Sequence, residues 1–197
     1  MSQDTPSIDR PRRRNSTATR AAILQAARET FTQRGYDGAG LREIAQTASV
    51  DTRLISRYFG SKEGLFAEVV DLAYEKSMMM TPEHNADAAR YLLTGTEKDP
   101  ADGLLLTLRS AANPRAATIM RESIERNYQH RLAEALPGPD AAGRSALLIA
   151  ICAGVMLNRQ LLGHTELNSA DVERLIPYLH AALDAVADVP AENTGTD

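Results

Sequence analysis

The segment Arg20–Phe66, on which the prediction of the fold depends, reads RAAILQAARETFTQRGYDGAGLREIAQTASVDTRLISRYFGSKEGLF. Its first part places Ile23, Ala27 and Phe31 at intervals of four residues, which aligns them along one face of a helix. Gly35 follows, and glycine commonly ends a helix because it adopts left-handed conformations without a steric penalty. This pattern predicts a first helix that begins near residue 16 and ends at residue 34.

Two shorter helices are predicted after this glycine. The first covers Leu41–Ala48, with Ile44, Ala45 and Ala48 turned inward, and the second covers Thr52–Phe59. Asp51 stands directly before the second of these helices, where its carboxylate can accept hydrogen bonds from the free amides of the first turn. A short helix, a tight turn and another short helix form the order of elements in a helix-turn-helix.

The outward side of the third helix carries the residues with binding potential. Ile55 and Phe59 lie four positions apart and are expected in the core. Arginine can hold O6 and N7 of guanine together, and Ser or Thr can contact phosphates, base edges or a thymine methyl. The alternative is an ordinary amphipathic helix whose polar side is only solvated. The polar residues left on the outward side are Thr52, Arg53, Ser56 and Arg57.

Charge is unevenly distributed along the chain. Residues 1–62 contain eleven Lys and Arg against six Asp and Glu, whereas residues 63–197 contain eleven basic and twenty acidic residues. The first part therefore carries a net charge of +5 and the second a net charge of −9, within a total of −4. Only the amino-terminal third is expected to approach a polyanion such as DNA. The alternative is chance clustering of solvated arginines.

Composition excludes several classes of protein. A single cysteine, Cys152, excludes an internal disulfide and favours the reducing cytoplasm. The longest apolar run, Ala146–Leu157, is shorter than the roughly 20 residues that span a bilayer, and the polar start resembles no signal peptide. The scattered histidines fit no metal-binding pattern, and no nucleophilic or phosphate-binding motif is present. We therefore expect neither an enzyme nor a cofactor, and no membrane association.

An all-α fold of about nine helices is predicted for the whole chain, because Ala and Leu dominate and β-branched runs are absent. The expected organisation is a disordered basic arm over residues 1–15, a helix-turn-helix domain over 16–61, a second helical domain over 62–189 and a loose tail over 190–197. The further helices predicted are Lys62–Met79, Asp87–Leu93, Ala101–Ala112, Pro114–Leu136, Asp140–Leu162 and Ser169–Val186.

The last two predicted helices are apolar over an unusually wide arc. Leu147, Leu148 and Ile151 cannot all face one neighbour, and Leu179 and Leu183 continue the pattern in the final helix. Such a pair favours an interface with a second subunit, and the alternative is a helix buried at the centre of a monomer. Dimerisation would hold two DNA-binding helices about 34–36 Å apart, the separation of successive major grooves.

Specific residues of the amino-terminal region resemble those of a known family. The matching motifs are Ile23-Leu24-x-Ala26-Ala27, Phe31, Gly35-Tyr36, Ile44-Ala45, Ala48-x-Val50 and Tyr58-Phe59-x-x-Lys62-Glu63-x-Leu65. On these residues, which cover roughly a quarter of the chain, the sequence resembles the DNA-binding domain of the TetR family of bacterial transcriptional regulators. The resemblance implies that the third helix is the recognition helix, with groove contacts from Thr52, Arg53, Ser56 and Arg57.

The same resemblance implies backbone contacts by Tyr58 and Lys62. A tyrosine hydroxyl at the rim of a groove can donate to a phosphate oxygen, and Lys62 stands at a helix start that already favours an anion. The sequence departs from the family pattern at Gly40, where a hydroxyl residue is usual, so Arg42 becomes a more important phosphate candidate. The basic arm, with Arg12, Arg13 and Arg14, is expected to enter a minor groove or to bind phosphates non-specifically.

The resemblance also implies a function for the second domain. In the family, the carboxy-terminal domain binds a small molecule and dimerises, and the ligand moves the fourth helix so that the dimer releases its palindromic double-stranded DNA operator. The effector expected here is small and apolar, with Asn127, Asn158 and His164 as polar orienting groups. The apolar candidates for the pocket, which at helical spacing are more often plain core, are Tyr74, Met78, Tyr91, Met120, Tyr128 and Met156.

The sequence thus predicts a cytoplasmic, homodimeric repressor that a small molecule releases from its operator. One alternative is a DNA-binding architectural or constitutive regulator without an effector. Another is a ligand-binding or interaction protein whose DNA-binding head has lost function through Gly40, Ser49 and Asp51.

Overall fold

The computed structural model describes residues 10–75, 78–95 and 99–188, and every regular element within these ranges is helical. The predicted all-α fold is confirmed. Because α7 and α8 below form one continuous run, the ten α-helices of the described ranges make nine helical runs, as the sequence predicted. The helices are α1 (Arg10–Gly38), α2 (Leu41–Thr47), α3 (Thr52–Phe59), α4 (Lys62–Tyr74), α5 (Asn85–Thr94), α6 (Asp99–Ser110), α7 (Pro114–Ile124), α8 (His130–Ala135), α9 (Ala141–Met156) and α10 (Ile176–Ala187).

Two of the long helices contain a π-helical turn. Glu125–Gln129 joins α7 to α8, and Leu157–Leu161 continues α9. Two short 3-10 turns, Thr165–Asn168 and Val172–Leu175, lead into α10. The sequence did not predict the π-turns, because the insertion of one residue into a helical turn leaves the hydrophobic pattern almost unchanged.

The first helix begins earlier than the sequence predicted. The expected start lay near residue 16, whereas α1 begins at Arg10, so the backbone of residues 10–15 is helical rather than part of a disordered arm. Pro11 is compatible with this start because it lies in the first turn, where a missing amide proton breaks no hydrogen bond. The arm residues 1–9 and the tail 190–197 lie outside the described part of the chain.

Two other helix ends also differ from the prediction. α4 ends at Tyr74, five residues before the expected end at Met79. The last helix begins at Ile176 rather than Ser169, and Pro177 lies in its first turn. A proline inside a helix from Ser169 would remove a backbone hydrogen bond and clash with the preceding turn, which is why the predicted start was wrong.

The chain forms two compact units, and the boundaries between them fall within α4, α6 and α7. The first unit comprises Met1–Val70 and Leu106–Ile119, and the second comprises Asp71–Leu105 and Met120–Asp197. The first unit is thus larger than the predicted helix-turn-helix domain, since it includes the start of α4 and the α6–α7 corner. Its core contains Phe31, Tyr36 and Phe66, whose ring centroids lie 5.0 to 6.2 Å apart.

Gly35 allows the α6–α7 corner to reach the end of α1. Its φ of 69° is a conformation that L side chains rarely adopt, and a Cβ atom there would lie 2.3 Å from the Arg109 carbonyl oxygen. The positive φ predicted for Gly35 is confirmed, but the predicted helix end at Arg34 is wrong, because α1 is kinked at Gly35 and continues to Gly38. The reason for the glycine is twofold, because the position requires both the positive φ and the absent side chain.

The second unit has its own apolar core between α5, α8, α9 and α10. Tyr128, Leu148 and Leu183 are buried in it, and α5 packs against α10. We call this set the second-unit core. Its buried members are Met80, Ala88, Ala89, Leu92, Tyr128, Leu132, Leu136, Leu148, Cys152, Leu183 and Ala187.

Candidate nucleic-acid interface

The turn between α2 and α3 is tight and precedes a capped helix. Ser49 has a φ of 55°, a left-handed conformation that a serine adopts less readily than a glycine. The amide of Val50 donates to the carbonyl of Ala45 at 2.9 Å, which holds the turn against α2. The Asp51 carboxylate accepts the amide of Arg53 at 2.8 Å, so the predicted capping role of Asp51 is confirmed.

The two sides of α3 have opposite environments. Ile55 is fully buried and Phe59 is 8% exposed, as the sequence predicted. Arg53, Ser56 and Arg57 are exposed on the other side, and Thr52 is half-buried at its edge. We call Thr52, Arg53, Ser56 and Arg57 the recognition face. An exposed polar face on a helix held firmly by its apolar side is the arrangement that a major groove accommodates.

Tyr58 lies at the end of α3 and is half-buried. Its hydroxyl donates to Ser16 Oγ in α1 at 3.1 Å, and its ring lies edge-on to Phe59. The sequence indicated Tyr58 as a phosphate donor but gave no sign of Ser16, because the two residues are 42 positions apart. Only the packing of α1 along α3 brings them together.

Lys62 occupies the first turn of α4 and is also half-buried. Its ammonium lies 4.7 Å from the centre of the Tyr36 ring, a cation–π contact. Ser61 caps the same helix, since its Oγ accepts the amide of Gly64 at 3.1 Å. The predicted phosphate contact of Lys62 stays a prediction, and the contact with Tyr36 shows where the side chain rests without DNA.

Glu63 adds a negative charge to the same helix start. Hydrogen bonds from its own backbone and from Ser61 hold the pKa of this carboxyl below its usual range, with a smaller effect of Arg115. Arg115 Nη1 lies 2.8 Å from Glu63 Oε1 and balances this charge. Burial, followed by the nearby Glu63 carboxylate, raises the pKa of Tyr36, so its hydroxyl stays neutral at physiological pH. The local sequence pattern around Glu63 could not indicate Arg115, because Arg115 lies in α7.

The remaining predicted DNA contacts lie around the start of α2. Arg42 is exposed, and Gly40 is an exposed N-cap without a side-chain hydrogen bond. The neighbouring Glu43 is paired with Arg34 at 2.8 Å, which neutralises an acidic group on α2. The side chains of Arg12, Arg13 and Arg14 lie outside the described part of the chain, so their roles stay predictions.

The predicted effector-pocket residues are only partly brought together. Tyr74, Met78 and Met156 pack against the second-unit core, in which Tyr128 is buried, whereas Tyr91 and Met120 are not part of it. Asn127 donates to the Asp71 carboxylate and Asn158 to the carbonyl of Gly154, and His164 is exposed. The predicted polar orienting groups are therefore engaged within the protein or directed to solvent.

A capped recognition helix, its exposed arginines and a separate helical unit define the class of helix-turn-helix regulators. Residues 23–69 match the family described as "Bacterial regulatory proteins, tetR family", and residues 85–186 match "Tetracyclin repressor-like, C-terminal domain". The second match alone covers more than half of the chain. The protein belongs to the TetR family, whose members are transcriptional regulators and not enzymes.

Curated relatives are similar mainly in the amino-terminal region. The HTH-type transcriptional repressor NicS of Pseudomonas putida is 38% identical over 63 residues, which are 32% of this chain and 30% of the relative. The HTH-type transcriptional regulator RutR of Escherichia coli is 39% identical over 70 residues, or 36% of this chain and 33% of the relative. The matched region thus spans about a third of these relatives.

Solved structures extend the similarity to the whole fold. A TetR-family regulator from Rhodococcus sp. is 18% identical with a TM-score of 0.65, and the alignment covers 87% of this chain and 100% of that one. NalD of Pseudomonas aeruginosa is 21% identical with a TM-score of 0.54, and the alignment covers 84% of this chain and 96% of that one. At these identities the similarity concerns the fold alone.

Proposed function

We propose that the protein is a cytoplasmic repressor that binds a palindromic double-stranded DNA operator as a homodimer and is released by a small apolar molecule. The observation that carries the DNA-binding part is the recognition face. Arg53, Ser56 and Arg57 are exposed, while the opposite side of the same short helix is buried. The family membership and the net charge of +5 on residues 1–62 support the same conclusion.

Homodimerisation is supported by an uncovered apolar face on the last two helices. Leu147 and Tyr178 are 57% and 75% exposed. The helical run Ala141–Leu161 is long and apolar enough to cross a membrane, and only 22% of its most apolar 18-residue window is buried within the protein. The sequence predicted no membrane span here, because its uninterrupted apolar run, Ala146–Leu157, covers only the middle of this helical run. This run lies in the region that matches the family's carboxy-terminal domain. We therefore interpret it as a subunit interface rather than a membrane span.

The composition of this face favours a second copy of the chain. Its residues are apolar and mostly small, so two helices can approach closely, and a twofold axis would bring each face against its own equivalent. We call it the C-terminal apolar face. Its exposed members are Ala142, Gly143, Ala146, Leu147 and Ala150 in α9, and Pro177, Tyr178, Ala181, Ala182 and Ala185 in α10.

Release by an effector is supported by the methionine-rich surroundings of the second-unit core. Met78, Met79 and Met156 are partly buried against it, and flexible methionine side chains can repack around an apolar molecule. An effector that prefers the form unable to bind DNA lowers the operator affinity by the coupling free energy, typically about 1–3 kcal/mol.

One observation favours the alternative of a regulator without an effector. The amide of Asn127 donates to Asp71 at 2.7 Å and that of Asn158 to Gly154 at 2.8 Å, so both groups are already used within the protein. A constitutive regulator would bind its operator equally well in the presence of any small molecule. Operator binding measured across a library of apolar compounds separates the two functions.

Selection of bound sequences from a random DNA pool tests the central proposal. We expect a palindromic consensus, because two recognition faces related by a twofold axis read the same half-site twice. Arg53→Ala and Arg57→Ala should each weaken binding to the selected duplex, with about 1–3 kcal/mol lost for a bidentate base contact. Arg174→Ala, which removes a charge from an 81% exposed side chain outside α3, is the matched control. Unchanged affinity in both recognition-face variants would refute the proposal.

A further inference from the structure

The hydroxyl groups of Ser16 and Tyr58 form a pair between α1 and the end of the recognition helix. The Tyr58 hydroxyl donates to Ser16 Oγ at 3.1 Å. A phenol has a single proton, whereas a serine hydroxyl that accepts one hydrogen bond keeps its own proton for another partner. In this arrangement the proton available to a DNA phosphate belongs to Ser16 and not to Tyr58.

We propose that Ser16 is a DNA-phosphate-binding residue and that Tyr58 is the residue that positions it. This inference rests on the proposed function and adds α1 to the surface that binds the duplex. Ser16 Oγ accepts from Tyr58 and donates to a phosphate oxygen, so that α1 and α3 hold the same strand together.

The surroundings of the pair place Ser16 at the edge of the recognition face. Arg20 lies one helical turn after Ser16, and its guanidinium lies 4.9 Å from the centre of the Phe59 ring. One side of α1 therefore runs along Tyr58 and Phe59, immediately after the exposed Arg57. Ser16 is half-buried rather than enclosed, so the residue keeps part of its surface in contact with solvent.

Arg20 does not supply the positive charge for this phosphate. Its guanidinium forms an ion pair with Glu68 and stacks on Phe59, so its charge is balanced within the protein. The hydroxyl pair is therefore the donor at this edge. A chain of two hydroxyl groups also polarises the terminal O–H group, which strengthens its hydrogen bond to an anion.

A neutral hydroxyl that binds a phosphate releases no counterion, so its loss can be distinguished from the loss of an arginine contact by the salt dependence of binding. Loss of the Ser16 contact should lower the DNA affinity at every salt concentration and leave the salt dependence unchanged. Loss of an arginine contact should lower both the DNA affinity and its salt dependence. Phosphate contacts carry no sequence information, so the effect should be the same on every duplex.

The experiment uses the full chain and a fluorescein-labelled pool of random duplexes of about three helical turns, with binding followed by anisotropy over a range of KCl concentrations. We expect Ser16→Ala to weaken binding about tenfold, the value of one charge-assisted hydrogen bond. Ser16→Thr, which keeps the hydroxyl, should restore the affinity to within about twofold. Arg57→Ala should instead reduce the salt slope by about 0.9 if it binds one phosphate.

Tyr58→Phe tests the positioning role separately. It should weaken binding about threefold with an unchanged salt slope, and the double variant Ser16→Ala/Tyr58→Phe should be no weaker than Ser16→Ala, since the two residues act through one contact. Circular dichroism and thermal melting identify any variant that fails to fold. If Ser16→Ala does not fold, Ser16→Thr and Tyr58→Phe decide the question.

Three results would overturn the inference. Wild-type affinity in Ser16→Ala would show that Ser16 contacts no phosphate. Increased affinity in this variant would show that Tyr58 itself donates to the DNA once Ser16 no longer accepts its proton. Wild-type affinity in Tyr58→Phe would refute the positioning role. If Arg53→Ala and Arg57→Ala weaken binding while Ser16→Ala does not, the inference about Ser16 fails and the proposed function stands. A wild-type protein that binds no duplex would refute both the proposed function and the inference about Ser16.

Discussion

The backbone amide of Tyr36 donates to Ser110 Oγ at 3.0 Å, and this hydrogen bond joins the end of α1 to the last residue of α6. Arg109 reinforces the junction, because its guanidinium donates to the carbonyl of Thr32 at 2.5 Å. Asn113 also donates to Asp37 at 2.7 Å. The helix-turn-helix is therefore completed by a corner that lies more than 70 residues further along the chain.

Gly35→Ala should destabilise the first unit strongly. A Cβ atom there would lie 2.3 Å from the Arg109 carbonyl oxygen at a φ of 69°. Backbone strain and the clash together should cost about 2–4 kcal/mol in the free energy of unfolding, measured by urea denaturation. Gly103→Ala in α6 is the control, because the nearest atoms to its Cβ would belong to Ala73, at an ordinary contact distance of 3.8 Å. This variant should leave the free energy of unfolding unchanged or increase it. Equal stability of the two variants would contradict this account.

Ser110→Ala should also destabilise the protein, but by less. Ser110 is 1% exposed, and its removal leaves the buried amide of Tyr36 without its acceptor. The free energy of unfolding should fall by about 1–3 kcal/mol. Ser169→Ala removes an exposed hydroxyl that bonds the Glu166 carbonyl and should change stability by no more than about 0.5 kcal/mol. A loss in Ser110→Ala no greater than in this control would contradict the role of the junction.

Lys62→Ala should weaken DNA binding and reduce its salt dependence. If the ammonium leaves the Tyr36 ring to bind a phosphate, the slope of log affinity against log salt should fall by about 0.9. Lys62→Arg keeps both the charge and the capacity to stack on Tyr36, so it should retain most of the affinity. An unchanged slope in Lys62→Ala would show that the lysine stays on the ring when DNA is bound.

Leu147→Glu should disrupt the proposed dimer. Leu147 lies on the C-terminal apolar face with 57% of its surface exposed, so a charge there would be buried between subunits. Sedimentation equilibrium should show a dimer dissociation constant raised at least about tenfold. Leu108→Glu changes another exposed leucine, outside this face, and should leave the dimer intact. A wild-type protein that stays monomeric, or a Leu147→Glu variant that dimerises normally, would contradict the proposed interface.

Cys152 should be inert in the folded protein. Burial raises the pKa of its thiol from 9.0 to about 12. Because the folded pKa is the higher one, the thiol's stabilising contribution is complete below pH 9.0 and is lost as the pH rises towards 12. Alkylation by iodoacetamide at about pH 8 should therefore require unfolding. The fraction of alkylated protein should rise over the same urea concentrations at which the protein unfolds. Rapid alkylation of the native protein would refute this prediction.

Much of the DNA-binding region could be predicted from the sequence, because its helices are short and locally encoded. The spacing of Ile55 and Phe59 placed α3 with its observed ends, and Asp51 identified its cap. The positive φ of Gly35 was also predicted, since few other residues adopt it. The ends of the longer helices were less well predicted, because Pro177 and two π-turns interrupt hydrophobic patterns that continue across them.

The sequence alone was sufficient to establish the helical class and the polar side of α3. These properties depend on residues within a few turns of each other, where spacing fixes the face of a helix. The tertiary structure alone decided that Ser16 meets Tyr58 and that Ser110 meets Tyr36. Such pairs, 42 and 74 positions apart, leave no local pattern in the chain, since only the packing of whole helices brings their polar atoms within hydrogen-bonding distance.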